Sequence, residues 1–195
     1  VLSFKRIEKK YLINQSQYEE LLKGIRGHMK LDPYCENNKT YKIQNIYYDT
    51  INNTLISNSI NKPIYKEKLR VRKYYEADSY FIELKKKACG VVGKRRVVVN
   101  KEELDSFFRG DNLDHITDYE SRMAIKEIKY LMKRYELMPK VYLSYDRLGF
   151  FDLEDPTLRL TLDNNIHSRR SNLSFKTDES TIDVIKKDEY ILEIK

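Results

Sequence analysis

The chain has 195 residues, of which 41% are hydrophobic and 34% charged, with 37 Lys+Arg against 30 Asp+Glu for a net charge of +7. That balance excludes a disordered chain and favours one domain, 1–195, with a substantial core and an anionic partner. No apolar run approaches the ~20 residues that cross a bilayer, and no secretory signal opens the sequence. Cys35 and Cys89 stand alone, which excludes a self-contained zinc cluster or disulfide scaffold and points to a reducing, cytoplasmic compartment.

In chain order, a strand is expected over 3–13. Ser16 with Glu19 then gives a capping box, followed by an apolar stripe of Tyr18, Leu21, Leu22 and Ile25. Alternating segments predict strands over 41–48, 64–75, 79–87 and 92–99. Asn100 with Glu103 opens a second helix carrying Leu104, Phe107 and Phe108. Thr117 with Glu120 opens a third, with Ala124, Ile125, Ile128, Leu131, Met132 and Tyr135 at helical spacing, ending near Leu137 before Pro139. Strands over 139–151, 156–166 and 188–195 complete the chain. Eight strands with three helices make an α+β fold, and many long antiparallel strands in one domain suggest a closed antiparallel β-barrel with helices packed outside.

Alternate residues of a strand face opposite ways, and here the charge collects on one face of each. Arg6, Glu8 and Lys10 share a face of the first strand. Lys66, Lys68, Arg70 and Arg72 share one on the third, and Phe81, Glu83, Lys85 and Lys87 on the fourth. Lys94 with Arg96, Tyr145 with Arg147, Arg159 with Thr161 and Asp163, and Glu193 with Lys195 repeat the habit. Solvated outer faces and a charged interior both produce this pattern. A charged interior would demand a multivalent anion, because buried cations are costly unless paired. Arg forks and Lys ammonium groups suit phosphate oxygens, and the remaining carboxylates suit a hard divalent cation.

The opening Arg6-x-Glu8-x-Lys10 resembles the first-strand Glu-x-Glu-x-Lys signature of the triphosphate tunnel metalloenzymes, with Arg6 in place of the first Glu. That departure resembles the VTC branch, the catalytic domain of polyphosphate polymerases and their stand-alone bacterial relatives. Ile46-Tyr47-Tyr48-Asp49, Leu69-Arg70-Val71-Arg72, Glu83-Leu84-Lys85, Lys94-Arg95-Arg96, Tyr145-Asp146-Arg147, Leu158-Arg159-Leu160 and Leu192-Glu193-Ile194-Lys195 resemble its later strands in order. The resemblance implies a tunnel barrel with basic residues inside and transfer of the ATP γ-phosphate onto polyphosphate with Mn2+ or Mg2+. It implies catalytic roles for Lys10, Arg70, Arg72, Lys85, Arg147 and Arg159. Phosphate would further be held by Arg6, Lys68, Lys94, Arg96, Tyr145 and Lys195, and metal by Glu193, Glu8 and Glu83. It also implies a chain continuing past the Glu-x-Lys strand, so a C-terminal truncation at Lys195 is expected. ATP and inorganic polyphosphate are the expected partners, with no nucleic acid and any membrane association through a partner protein. The oligomeric state is not read from the sequence. A metal-dependent triphosphatase acting on inorganic triphosphate, thiamine triphosphate or an RNA 5′ end is the alternative on the same fold. A non-catalytic polyphosphate- or nucleotide-binding module is the other.

Overall fold

The computed structural model describes residues 8–35, 39–61, 64–75, 77–89, 91–155, 157–176 and 180–195. In chain order the elements begin with β1 (Lys9–Asn14), α1 (Gln15–Gly24), β2 (Met29–Leu31), β3 (Tyr41–Asp49) and α2 (Thr54–Asn61). They continue with β4 (Tyr65–Tyr74), β5 (Tyr80–Ala88), β6 (Val91–Val99), α3 (Lys101–Arg109) and α4 (Tyr119–Tyr135). β7 (Met138–Asp152), β8 (Arg159–Arg169), β9 (Ile182–Asp183) and β10 (Glu189–Ile194) complete the series. The class is α+β, an antiparallel sheet of ten strands with four helices among the described residues. The described ladders leave β1 with β10 as its one neighbour and β6 with β5, so they do not complete the expected closed ring.

Several elements differ from the sequence expectation for local reasons. α1 is capped by Asn14, not Ser16: Asn14 Oδ1 accepts from Gln17 N–H and Gln17 Oε1 accepts from Asn14 N–H, both at 3.0 Å. The same reciprocal device simply begins two residues earlier. α4 is capped by Asp118 rather than Thr117, through a 2.8 Å bond from Ser121 N–H. α3 follows the expected Asn100–Glu103 box. α2 was not expected because its cap is remote. Asp49, at the end of β3, accepts from the N–H groups of Leu55 (2.8 Å) and Ile56 (3.0 Å).

The chain forms two compact units. The first holds Gln44–Tyr142 and the stretch from Arg169; the second holds the residues up to Ile43, Leu143–Ser168 and Ser180–Lys195. In the first unit β3, β4, β5 and β6 neighbour one another in that order. One sheet face carries Leu69, Val71, Ile82, Leu84, Val97 and Val99, packed against Leu104 and Phe107 of α3 and Ala124, Ile128 and Leu131 of α4. At roughly 1.5–3 kcal/mol per fully buried large apolar side chain, this layer dominates the unit's stability. In the second unit β1, β10, β8 and β7 are neighbours in order, with β2 on β7 and β9 on β8. Its core joins Ile13, Leu148, Phe150, Leu160, Leu162 and Leu192 to Tyr18, Leu21, Leu22 and Ile25 of α1. α3 and α4 in the first unit and α1 in the second take the apolar face of the strands. The period of two then commits the alternate, charged residues to the face away from these three helices.

Candidate functional site

On β4, β5 and β6 the charged residues fall in rows. Arg70, Glu83 and Arg96 are in register, and so are Lys68, Lys85 and Lys94. Neighbours within a row are about 5 Å apart and successive rows on one face about 7 Å apart. Glu83 sits at the centre. Its Oε2 accepts from Arg70 Nε at 2.6 Å, its Oε1 accepts from Arg96 Nε at 2.8 Å, and Arg72 Nε lies 3.9 Å from Oε2. Arg70 Nη1 donates to the Tyr47 hydroxyl at 3.2 Å, and Arg72 Nε to Asn45 Oδ1 at 3.1 Å. Burial alone would raise the Glu83 pKa, but Arg70, Arg72 and Arg96 bring it down to about 2. Burial would likewise raise Tyr47; the field and hydrogen bond of Arg70, with Arg72 and Lys68, lower it instead.

In the second unit a comparable row joins Lys10, Glu193 and Thr161 across β1, β10 and β8. Glu193 is only 4% exposed. Lys10 Nζ lies 3.1 Å from Glu193 Oε1 and 3.7 Å from Glu8 Oε1, and the Lys195 ammonium donates to Glu193 Oε2. Burial pushes the Glu193 carboxyl up, but its hydrogen bonds to Glu8 and Lys195 and the charges of Lys195 and Lys10 hold it well below the usual range. Burial lowers Lys10, yet Glu193 and Glu8 raise it overall. At Lys195 burial wins, and the ammonium is lowered despite Glu193. Beside this row Arg147 binds Asp163 through two parallel bonds of 2.7 Å, with its guanidinium 5.2 Å from the Tyr145 ring centre. Arg159 lies over Phe151 at 4.5 Å.

The VTC domain matches residues 5–195. The chain belongs to the VTC domain family. Among solved structures, a Bacillus halodurans candidate adenylate cyclase is similar at TM-score 0.55 and 17% identity, covering 96% of this chain and 78% of that one. A Hippeastrum candidate adenylyl cyclase, described as having a dominant triphosphatase activity, gives TM-score 0.48 at 17% identity, over 96% and 77%. The PH1012 protein of Pyrococcus horikoshii gives 0.46 at 12%, over 97% and 77%. The first likeness, at TM-score 0.55, speaks to the fold alone. No curated protein matches the chain.

Within this VTC domain, Lys68, Arg70, Arg72, Lys85, Lys94, Arg96 and Glu83 come together on one face of the first unit. Glu8, Lys10, Tyr145, Arg147, Arg159, Glu193 and Lys195 lie in the second unit. Arg6 falls outside the described residues. Glu8 and Glu193 converge on a single ammonium, so their oxygens already surround a cation. Two carboxylates beside a Thr161 hydroxyl fit Mg2+ or Mn2+, which complete their shells with water and phosphate oxygens. Glu83 is instead matched by guanidiniums. Among the described residues no three His, Cys, Asp or Glu side chains cluster to hold a metal. Nor is any helix among them long and apolar enough to cross a membrane.

Sequence reasoning left Asn45 and Tyr47 without a role, although they reach Arg72 and Arg70. The available signal was Gln44-Asn45, two amides inside an otherwise apolar strand, both buried here. Asp163, which the alternation groups with Arg159 and Thr161, is the partner of Arg147.

Proposed function

We propose that this VTC domain transfers the γ-phosphate of ATP onto a growing polyphosphate chain. The observation that carries the proposal is the charge gathered on the first unit's strands β4, β5 and β6. Lys68, Arg70, Arg72, Lys85, Lys94 and Arg96 surround one carboxylate, Glu83. Three lysines in register on neighbouring strands concentrate positive charge on this face, which a multiply charged anion would complement.

Phosphoryl transfer asks mainly for positioning and charge stabilisation. Arg70, Arg72 and Arg96 would bind phosphate oxygens with their forks, and Lys68, Lys85 and Lys94 would act as point charges along the chain. In the second unit Lys10, Arg147, Arg159 and Lys195 have the same chemistry, with the Tyr145 ring packed under Arg147. Glu193 and Glu8 would hold Mn2+ or Mg2+. Such an ion neutralises charge developing on phosphate oxygens. The accepting terminal phosphate is already ionised, so no strong general base is required.

The test is incubation with ATP and Mn2+, assaying ADP and free phosphate and resolving polyphosphate on a stained gel. A ladder of long chains with ADP is expected. Free phosphate without a ladder would make the chain a triphosphatase, and neither product would leave it a binding module.

A further inference from the structure

Glu83 lies on the middle strand of three, with a guanidinium in register on each side: Arg70 on β4 and Arg96 on β6. The two take different oxygens, Arg70 Nε on Oε2 at 2.6 Å and Arg96 Nε on Oε1 at 2.8 Å. Arg72 approaches Oε2 at 3.9 Å. Arg70 and Arg72 are held a second time, by the Tyr47 hydroxyl and the Asn45 carbonyl oxygen. A divalent ion at Glu83 would have to take lone pairs that these guanidiniums occupy, and it would sit within a few ångströms of their charges. Glu193 also meets a cation on each oxygen, Lys10 on Oε1 and Lys195 on Oε2, but these are ammonium groups rather than guanidinium forks, and Glu8 brings a second carboxylate to Lys10.

We propose that Glu83 is a positioning residue for the phosphate-binding arginines and not a metal ligand. Its carboxylate spreads Arg70 and Arg96 to opposite sides and fixes them before the phosphate arrives. An arginine already held loses little rotamer freedom on binding, whereas an unanchored one loses much of it. This inference rests on the phosphate-binding reading of that face.

Tripolyphosphate without metal is titrated by calorimetry into the wild-type chain, Glu83→Gln, Glu83→Asp and the double variant Arg70→Ala/Arg72→Ala. Mn2+ alone is titrated into the first three, with free Mn2+ read by electron paramagnetic resonance. Glu83→Gln is expected to raise the tripolyphosphate Kd about tenfold, the loss of roughly one charged hydrogen bond. Glu83→Asp recovers part of that loss, and Mn2+ affinity is the same in all three. If circular dichroism shows Glu83→Gln unfolded, Glu83→Asp carries the test with a weakening of about threefold and unchanged Mn2+ affinity. Unchanged or tighter tripolyphosphate binding, or lost Mn2+ affinity in the Glu83 variants, overturns the assignment. If the double arginine variant binds tripolyphosphate like wild type, the phosphate-binding reading itself fails and the inference with it. If that variant loses binding while the Glu83 variants keep it, only the positioning role fails.

Discussion

The two units each hold a glutamate among cations, but they surround it with different ones. Glu83 is enclosed by arginines; Glu193 is held by lysines with Glu8 beside it. A guanidinium is planar, permanently charged and bound to a carboxylate along fixed directions. An ammonium is a mobile point charge whose pKa shifts with burial, as the lowered Lys195 illustrates. On the proposed reading the same acidic side chain is a fixed strut in one unit and would be an exchangeable cation site in the other. That reading makes Glu193 and Glu8, rather than Glu83, the carboxylates proposed for a divalent ion.

The comparison can be broken by removing individual partners. The largest effect is expected from Asp163→Asn, which strands the Arg147 guanidinium. A loss of roughly 3–5 kcal/mol should appear in chemical denaturation, because both partners are mostly shielded from water. Next comes acid. The folded pKa of Glu83, about 2, is depressed from 4.5, so its stabilisation is complete above pH 4.5 and lost as pH falls through about 2. That window should remove about 3 kcal/mol in acid unfolding of the wild type, and Glu83→Gln should lack this component.

These two expectations also mark what the sequence could carry. Period-two alternation correctly grouped Arg70 with Arg72 and Glu193 with Lys195, because a strand has only two faces. It could not say which charges meet across strands, since that depends on register. Register makes Glu83 the partner of Arg70 and Arg96 and lines up Lys68, Lys85 and Lys94. The three capping boxes located three helices, with Asn14 and Asp118 displacing Ser16 and Thr117 by one or two residues. α2 escaped because Asp49 caps it from the preceding strand.

A smaller effect is expected for Glu193→Gln. Stability should fall by about 2 kcal/mol in thermal melts as Lys10 and Lys195 lose a charged acceptor. Mn2+ affinity should fall with it, and unchanged Mn2+ affinity would remove Glu193 from the metal site. The smallest effect belongs to Lys10→Met. Lys10 is 58% exposed in its side chain, so its pair with Glu193 should contribute below about 1 kcal/mol. Its loss should nevertheless flatten the salt dependence of tripolyphosphate binding.

The central claim is that the aligned cations of the first unit form a phosphate site rather than a feature of folding. Lys85 stands between Lys68 and Lys94, so Lys85→Gln tests it most directly. Melting temperature without ligand and tripolyphosphate affinity should be measured on the same preparation. The account predicts a melting temperature close to wild type together with at least about a tenfold weaker affinity. A destabilised protein that binds tripolyphosphate like wild type would contradict it.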